Sequence, residues 1–341
     1  MNVKERMLLE SWLLWSTSYY LYIPFLSIYL SSFIPELKLS LLYAGVQAIS
    51  LPYPIIGARL SKKNKIFPIV IGMSLSGLGL ILLVISKNLY EALIFMAINY
   101  LFYLSLPSYY SLMAEIGEGI ITKVWSLSII PSIIMPAVGG IIAQYFGLRV
   151  LFILGGFLLS LSFLPLLNLN ISNFTNDNFK LRFTLGTLIV IIIILPIAMA
   201  SPYIYLVIYK HFNLTKEQVG FIATLAEILG MLLSLFSSKF ISKKKYLLSF
   251  SLFVFSLIIF YNFSPFVAIF FGSWEAIIPL TLEYFPSNRK NPEDFALINV
   301  MQGIGWVSGY LLDYSFNNVK LLLISSSVIA FLSACIILIK K

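Results

Sequence analysis

Two carboxyls stand where carboxyls are costly. Glu227 lies in "IATLAEILGMLL" and Glu275 in "FFGSWEAIIPL", each inside an otherwise apolar stretch. A charged group at membrane depth costs several kcal/mol and faces a cavity or a partner. No Lys or Arg lies at comparable depth, so neither acid has an ion-pair partner within reach of the sequence. A carboxyl so placed can take up and release a proton, and it can hold a cationic or hydroxylated solute. Glu227 carries a second reading. It belongs to a stripe of small and polar residues (Gly220, Thr224, Glu227, Gly230, Ser234) at steps of 4, 3, 3 and 4, the spacing of a close helix contact in a membrane. For Glu275 the competing reading is a protonated carboxyl hydrogen-bonded to a neighbouring helix.

Other chemistries find little material. One histidine, His211, leaves little room for a His-based metal site or a His-dependent hydrolase, and one cysteine, Cys335, cannot form an internal disulfide. The sequence contains no H-E-x-x-H, G-x-S-x-G or P-loop, so neither an enzyme nor an ATP-driven pump is expected. No metal and no cofactor is expected.

The elements that must position these acids are membrane helices. Of 341 residues 60% are hydrophobic and 11% charged, against about 45–50% and about 25% in a soluble domain. The net charge of +9 would suggest nucleic acid in a soluble protein, but the cations sit in short breaks between apolar segments, so no nucleic acid is expected. A span needs about 20 apolar residues. Breaks give twelve: 8–33, 39–60, 66–86, 89–113, 120–145, 148–168, 183–209, 217–238, 246–262, 265–286, 295–314 and 319–339. The first is too long for a cleavable signal. With the N-terminus inside, 17 Lys and Arg fall in cytoplasmic breaks and six outside, which places both termini in the cytoplasm of a multi-pass plasma-membrane protein.

An internal repeat divides the chain. Leu60-Ser61-Lys62-Lys63 matches Ile241-Ser242-Lys243-Lys244, and Gly140 with Gln144-Tyr145 matches Gly309 with Asp313-Tyr314. The expected organisation is a six-helix bundle over 1–168, an Asn-rich cytoplasmic linker over 169–182 and a second six-helix bundle over 183–341. Such parallel repeats are a transporter architecture with the solute site at the midplane.

The loop "GARLSKKNK" after the second span and the segment "PAVGGIIAQYFGLRVLF" at 136–152 resemble the major facilitator superfamily. The second carries Gly139, Gly140, Phe146, Gly147, Arg149 and Phe152 in the family's places. The first is degenerate: Lys62 stands where the family's G-x-L-x-D-R-x-G-R-[RK] has its acid, Lys63 at the Arg and Lys65 at the second Gly. The resemblance implies that the first, fourth, seventh and tenth spans line the cavity. Trp15 and Tyr22, with Ser11, Ser18 and Tyr29, then share one face of the first span. Asn99, Tyr103 and Tyr110 do so in the fourth, Tyr205 with Pro202 and Tyr209 in the seventh, and Trp274 beside Glu275 in the tenth. Gln302, with Asn299, Trp306 and Asp313, marks the eleventh. Glu10, Glu91, Glu283 and Asp313 read as solvated interface residues.

The family's acid normally helps to close the cytoplasmic side, and its loss suggests a charge-swapped latch. Arg59, Lys62, Lys63 and Lys65 would face Glu293 and Asp294 at the start of the eleventh span, and Lys243 to Lys245 would face Glu115 and Glu118. Acids at helix N-termini are independently favourable by about 0.3–1 kcal/mol each.

The expected activity is secondary active transport of a small solute by alternating access, coupled to protons, by a monomer in the bilayer. Without a deep cation, organic anions are poor candidates. Export of cationic or amphipathic compounds is the first reading, partly because Pro131, Met135, Pro136 and Gly139 keep half of the drug/proton antiporter motif of the fifth span. Sugar or polyol uptake, and a non-transporting scaffold or receptor, are the alternatives.

Overall fold

Proline and polar punctuation cut the apolar sequence into helices. The computed structural model describes residues 3–117, 119–167, 169, 185–284, 291–316 and 318–339. No strand occurs among them. The expected linker, apart from Leu169, lies outside the described residues, as do Glu118, Arg289, Lys290 and the two C-terminal lysines.

In the N-terminal half of the sequence, α1 spans Val3–Leu30. Then α2 (Glu36–Ser50) passes through Pro52 into α3 (Tyr53–Lys63), followed by α4 (Phe67–Leu82), α5 (Leu89–Asn99), α6 (Leu106–Ile116), α7 (Ile120–Ser132), α8 (Met135–Tyr145) and α9 (Leu148–Leu161). The later half holds α10 (Leu185–Ala200), α11 (Ile204–His211), α12 (Lys216–Lys239), α13 (Lys244–Ser256), α14 (Trp274–Tyr284), α15 (Pro292–Ser315) and α16 (Val319–Ile339). By length and composition, nine helical segments among the described residues can cross a membrane. The three other expected spans are helical too: α1, the α7–α8 pair, and α13 continued by a 3₁₀ stretch over Leu257–Phe260.

Local chemistry explains the boundaries. A reciprocal capping box starts α12: Gln218 N donates to Thr215 Oγ1 at 3.2 Å and Thr215 N to Gln218 Oε1 at 2.9 Å. Asn88 caps α5 by accepting from Glu91 N at 3.0 Å. Two expected spans contain 3₁₀ stretches, over Tyr100–Leu104 between α5 and α6 and over Pro265–Ser273 just before α14. Mid-helix 3₁₀ stretches mark hinges or strain. The seventh span breaks at Ser201–Tyr203, where Pro202 removes a backbone donor.

The outer surface is apolar. Phe221, Phe236, Phe250, Leu321 and Phe331 are each about half exposed, which suits a bilayer and not water. Inside, serines donate to neighbouring carbonyls: Ser18 Oγ to Gly155 O at 2.6 Å, Ser249 Oγ to Ala334 O at 2.8 Å, Ser326 Oγ to Pro196 O at 2.7 Å. The two halves of the sequence meet along two seams, α2 and α3 against α15, and α7 and α8 against α12. The two glycines aligned by the repeat differ in role. Gly140 lies on α12 across a seam, whereas Gly309 lies on α10 within its own half.

Close approach is most demanding at Gly272, where a Cβ would stand 1.9 Å from Ala226 O. Gly272→Ala must push α12 away from the 3₁₀ stretch. It is expected to destabilise by about 1–3 kcal/mol, read as a lower melting temperature in detergent. An unchanged melting temperature would refute this close packing.

Candidate functional site

The two acids of the sequence meet at the packing of α12 on the tenth span. Gly230, three residues beyond Glu227, leaves the space into which Glu275 fits: a Cβ there would stand 2.8 Å from Glu275 Cβ. The small-residue stripe of α12 therefore does pack. Gly220 lies on Pro136, Thr224 Oγ1 accepts from Ala137 N at 3.2 Å, and Gly230 lies on Gly272. Within that seam Glu227 turns to a cavity and Glu275 does not.

The cavity holds about 860 Å³ of empty space, its open region included. Its wall takes Tyr19 and Tyr22 from α1, Tyr43 and Gln47 from α2, Asn99, Tyr100 and Tyr103 from the fourth span, Tyr205 from α11, Glu227 from α12, Phe271 and Trp274 from the tenth span, and Trp306 and Tyr310 from α15. A second chamber of about 490 Å³ lies nearer the face that carries the N-terminus. It is lined by Trp15, Leu106, Tyr110, Trp125, Ile278 and Gln302. Tyr19, Phe102, Tyr103, Trp274 and Trp306 line both, so an aromatic septum divides an outer chamber from an inner one. Among the described lining residues Glu227 is the single charged one.

Polar side chains of the wall are held in place. Asn99 Nδ2 donates to Ser76 O at 3.0 Å, and Tyr103 OH donates to Gln47 Oε1 at 3.4 Å. Asn299 Nδ2 donates to Gln302 Oε1 at 3.1 Å, and Gln302 Nε2 to Thr281 Oγ1 at 2.8 Å. Glu275 is 0% exposed, and its Oε2 accepts from Trp125 Nε1 at 2.7 Å, with Tyr20 also facing it. Glu227 and Glu275 lie close enough to interact electrostatically.

Of the predicted site residues, Tyr22, Asn99, Tyr103, Tyr205, Glu227 and Trp274 line the outer chamber, and Trp15 and Gln302 the inner one. Glu275 opens on neither. Several expectations need correcting. Ser11 and Ser18 face α9 and its C-terminal continuation, where Ser11 Oγ donates to Ser162 O at 2.7 Å, because they stand on the edge of the α1 stripe. Tyr29 is likewise turned away, with its hydroxyl donating to Val84 O at 3.1 Å. Asp313 and Glu283 are not solvated: they are 2% and 8% exposed, and both carboxyl oxygens of Asp313 lack a hydrogen-bond partner.

The sequence reading missed Tyr19, Trp125, Trp306 as a septum residue, Tyr43, Gln47 and Tyr310. Tyr19 had a signal, since Trp15, Tyr19, Tyr22 and Leu26 follow steps of 4, 3 and 4. Trp125 had none, because its partner is 150 residues away.

Ion pairs tie the halves on both faces. On the face bearing the N-terminus, Lys62 Nζ of α3 lies 2.6 Å from Glu293 Oε1 in the first turn of α15. On the opposite face, Lys210 of α11 pairs with Glu36 of α2, and Tyr203 OH donates to Glu36 O at 3.3 Å. Lys65 departs from the expected pairing. Lys65 Nζ is 2.8 Å from Glu115 Oε1 within the N-terminal half and so does not face Glu293. The reason is position: Lys62 stands within α3 and takes Glu293, whereas Lys65 lies past the end of that helix, beside Glu115 of α6. Lys244 Nζ donates to the Glu283 carbonyl at 2.9 Å, and the pairing expected between Lys243 to Lys245 and Glu118 falls outside the described residues. Lys63 and Arg59 are exposed, Asp294 is buried, and Arg149 is exposed on the opposite face beside Tyr29.

These observations define a polytopic, all-helical membrane protein with an internal aromatic cavity between helices from both halves of its sequence. The fold is shared with solved membrane transporters. The nucleoside transporter NupG matches with a TM-score of 0.70 at 12% identity over 100% of both chains, and a point mutant of NupG with 0.73 at 12% identity over 99% of both. A bacterial homologue of the human drug peptide transporters PepT1 and PepT2 matches with 0.75 at 12% identity, over 98% of this chain and 97% of that one. At 12% identity the likeness is one of fold. No family model and no curated protein matches the sequence.

Proposed function

We propose that this chain is a proton-coupled secondary transporter working by alternating access. Its twelve spans form two six-helix halves, 1–168 and 183–341, joined by the linker, with both termini in the cytoplasm and the monomer as the working unit in the plasma membrane. The observation that carries the reading is the chamber between the two halves, walled by aromatic rings, with Glu227 as the one charged group among its described lining residues. Opening to either face has to break an ion pair at that end, Lys62 with Glu293 or Lys210 with Glu36.

The cargo is a cationic amphipathic compound. Aromatic faces attract organic cations by about 0.5–2 kcal/mol per contact, and a carboxylate supplies the counter-charge. A proton and a cation competing for Glu227 give exchange of one for the other, which is export when the proton enters. A second reading is uptake of a neutral polar solute: a sugar or polyol is suggested by the tyrosine hydroxyls with Gln47 and Asn99 on the wall, a nucleoside by the likeness to NupG.

The test is flux in proteoliposomes under an imposed pH gradient, with ethidium, glucose and uridine offered separately. Ethidium should accumulate only with the gradient and be released by a protonophore. Glucose or uridine carried in its place would select the second reading. A gradient that moves none of the three across vesicles holding folded protein points to a non-transporting scaffold.

A further inference from the structure

Trp125 belongs at once to a chamber wall and to the sealed carboxyl. Its ring lines the inner chamber, with centroids 5.4 Å from Trp12 and 6.4 Å from Trp15. Its Nε1 crosses from α7 to α14 and donates to Glu275 Oε2 at 2.7 Å. An indole N–H can only donate, and a donor serves a carboxylate about twice as well as a neutral acceptor. Tyr20 of α1 also bonds the carboxyl, and Glu275 Oε1 has no further hydrogen-bond partner, so the Trp125 bond is one of two that the carboxylate is offered. The other titratable groups facing Glu275 are Glu227 from α12, Tyr19 and Tyr20 from α1, and Tyr205 from α11. No Lys, Arg or His among the described residues joins them.

We infer that Trp125 couples occupancy of the inner chamber to protonation of Glu275. Cargo in that chamber stacks on the indole, since Trp125 belongs to its wall, and holds the ring on Glu275. The N–H···O contact favours the carboxylate. The proton held by Glu275 leaves to chamber water by way of Glu227. The O–H bond on Glu275 breaks, the carboxyl pair gains one negative charge opposite the cation, and Trp125 stays neutral throughout. Because α7 and α14 lie in different halves of the sequence, the same event tightens a tie between them. Glu227 thus meets cargo, Glu275 stores the proton, and Trp125 is the positioning residue that links them. The inference rests on the proton-coupled carrier proposed above.

The test counts protons exchanged per ethidium bound, with a pH-indicator dye in weakly buffered detergent solution, and compares gradient-driven flux with gradient-free exchange in liposomes. Trp125→Phe keeps an aromatic ring but no N–H. It should lower gradient-driven flux roughly tenfold more than exchange, the size of one charge-assisted hydrogen bond, and bring the proton count down to that of Glu275→Gln. Trp125→His returns a ring N–H and should recover most of both. A wild-type coupling ratio in Trp125→Phe, or a His variant that behaves as Phe does, overturns the role of Trp125 and leaves the carrier standing. Wild-type protein that binds ethidium and exchanges no proton overturns the carrier reading as well. Should Trp125→Phe not fold, Glu275→Gln decides: an undiminished proton count there removes Glu275 as the store.

Discussion

Glu227→Gln is expected to end proton-driven ethidium flux, with apparent affinity for ethidium weakened roughly 100-fold, in line with the 2–5 kcal/mol that follows removal of one partner from a buried charge pair. The substitution keeps size and shape, so the chamber survives. What disappears is the one carboxyl among the described lining residues. An amide neither exchanges a proton at any working pH nor balances a cation in a wall of tyrosine and tryptophan. Uridine or glucose, if either is the cargo, should lose far less, because an amide still donates and accepts hydrogen bonds. The measurement is initial rate against ethidium concentration, at two imposed gradients. A Gln variant that accumulates ethidium like the wild type would remove Glu227 from the mechanism.

The second large effect is at the ion pair between α3 and α15. Side chains of Lys62 and Glu293 are 15% and 8% exposed and 2.6 Å apart. Breaking a pair this sheltered costs about 3–5 kcal/mol, and Lys62→Glu adds repulsion between two carboxylates. The single reversal should therefore abolish transport by holding the halves apart on that face. Glu293→Lys alone should do the same with two ammonium groups. Together, the two reversals rebuild a pair of opposite polarity and should return a sizeable fraction of the flux. Charge reversal at exposed Lys63 should do little, because surface pairs contribute about 0–1 kcal/mol. Flux in the four proteins decides the matter: no recovery in the double reversal would leave Lys62 with an orienting role only.

How far the sequence reaches is clearest on α1 and α12. Helical periodicity puts Trp15 and Tyr22 on one face of α1, and both line the chambers, because 3.6 residues per turn is local geometry. It could not tell Ser18 from Tyr19, which flank the same face, since the choice depends on where α9 lies. On α12 one stripe supported two readings of Glu227, a packing seam and a charged site. The stripe packs, and Glu227 still lines the cavity, because the glycines on either side remove the bulk that would have kept Glu275 away.

Composition, charge bias and residue type determined by themselves that this is a multi-pass helical membrane protein. They also identified two deep acids without cations and placed lysines and acids where a face could be closed. These properties follow from transfer energies and helix geometry, which act on each segment alone. Only the tertiary structure decided that Glu227 opens on a chamber while Glu275 is sealed behind it under the indole of Trp125. It likewise decided that Lys62, not Lys65, reaches Glu293. Those outcomes depend on contacts between helices far apart in the chain, and a membrane-buried polar group takes whichever partner the packing brings within about 3 Å.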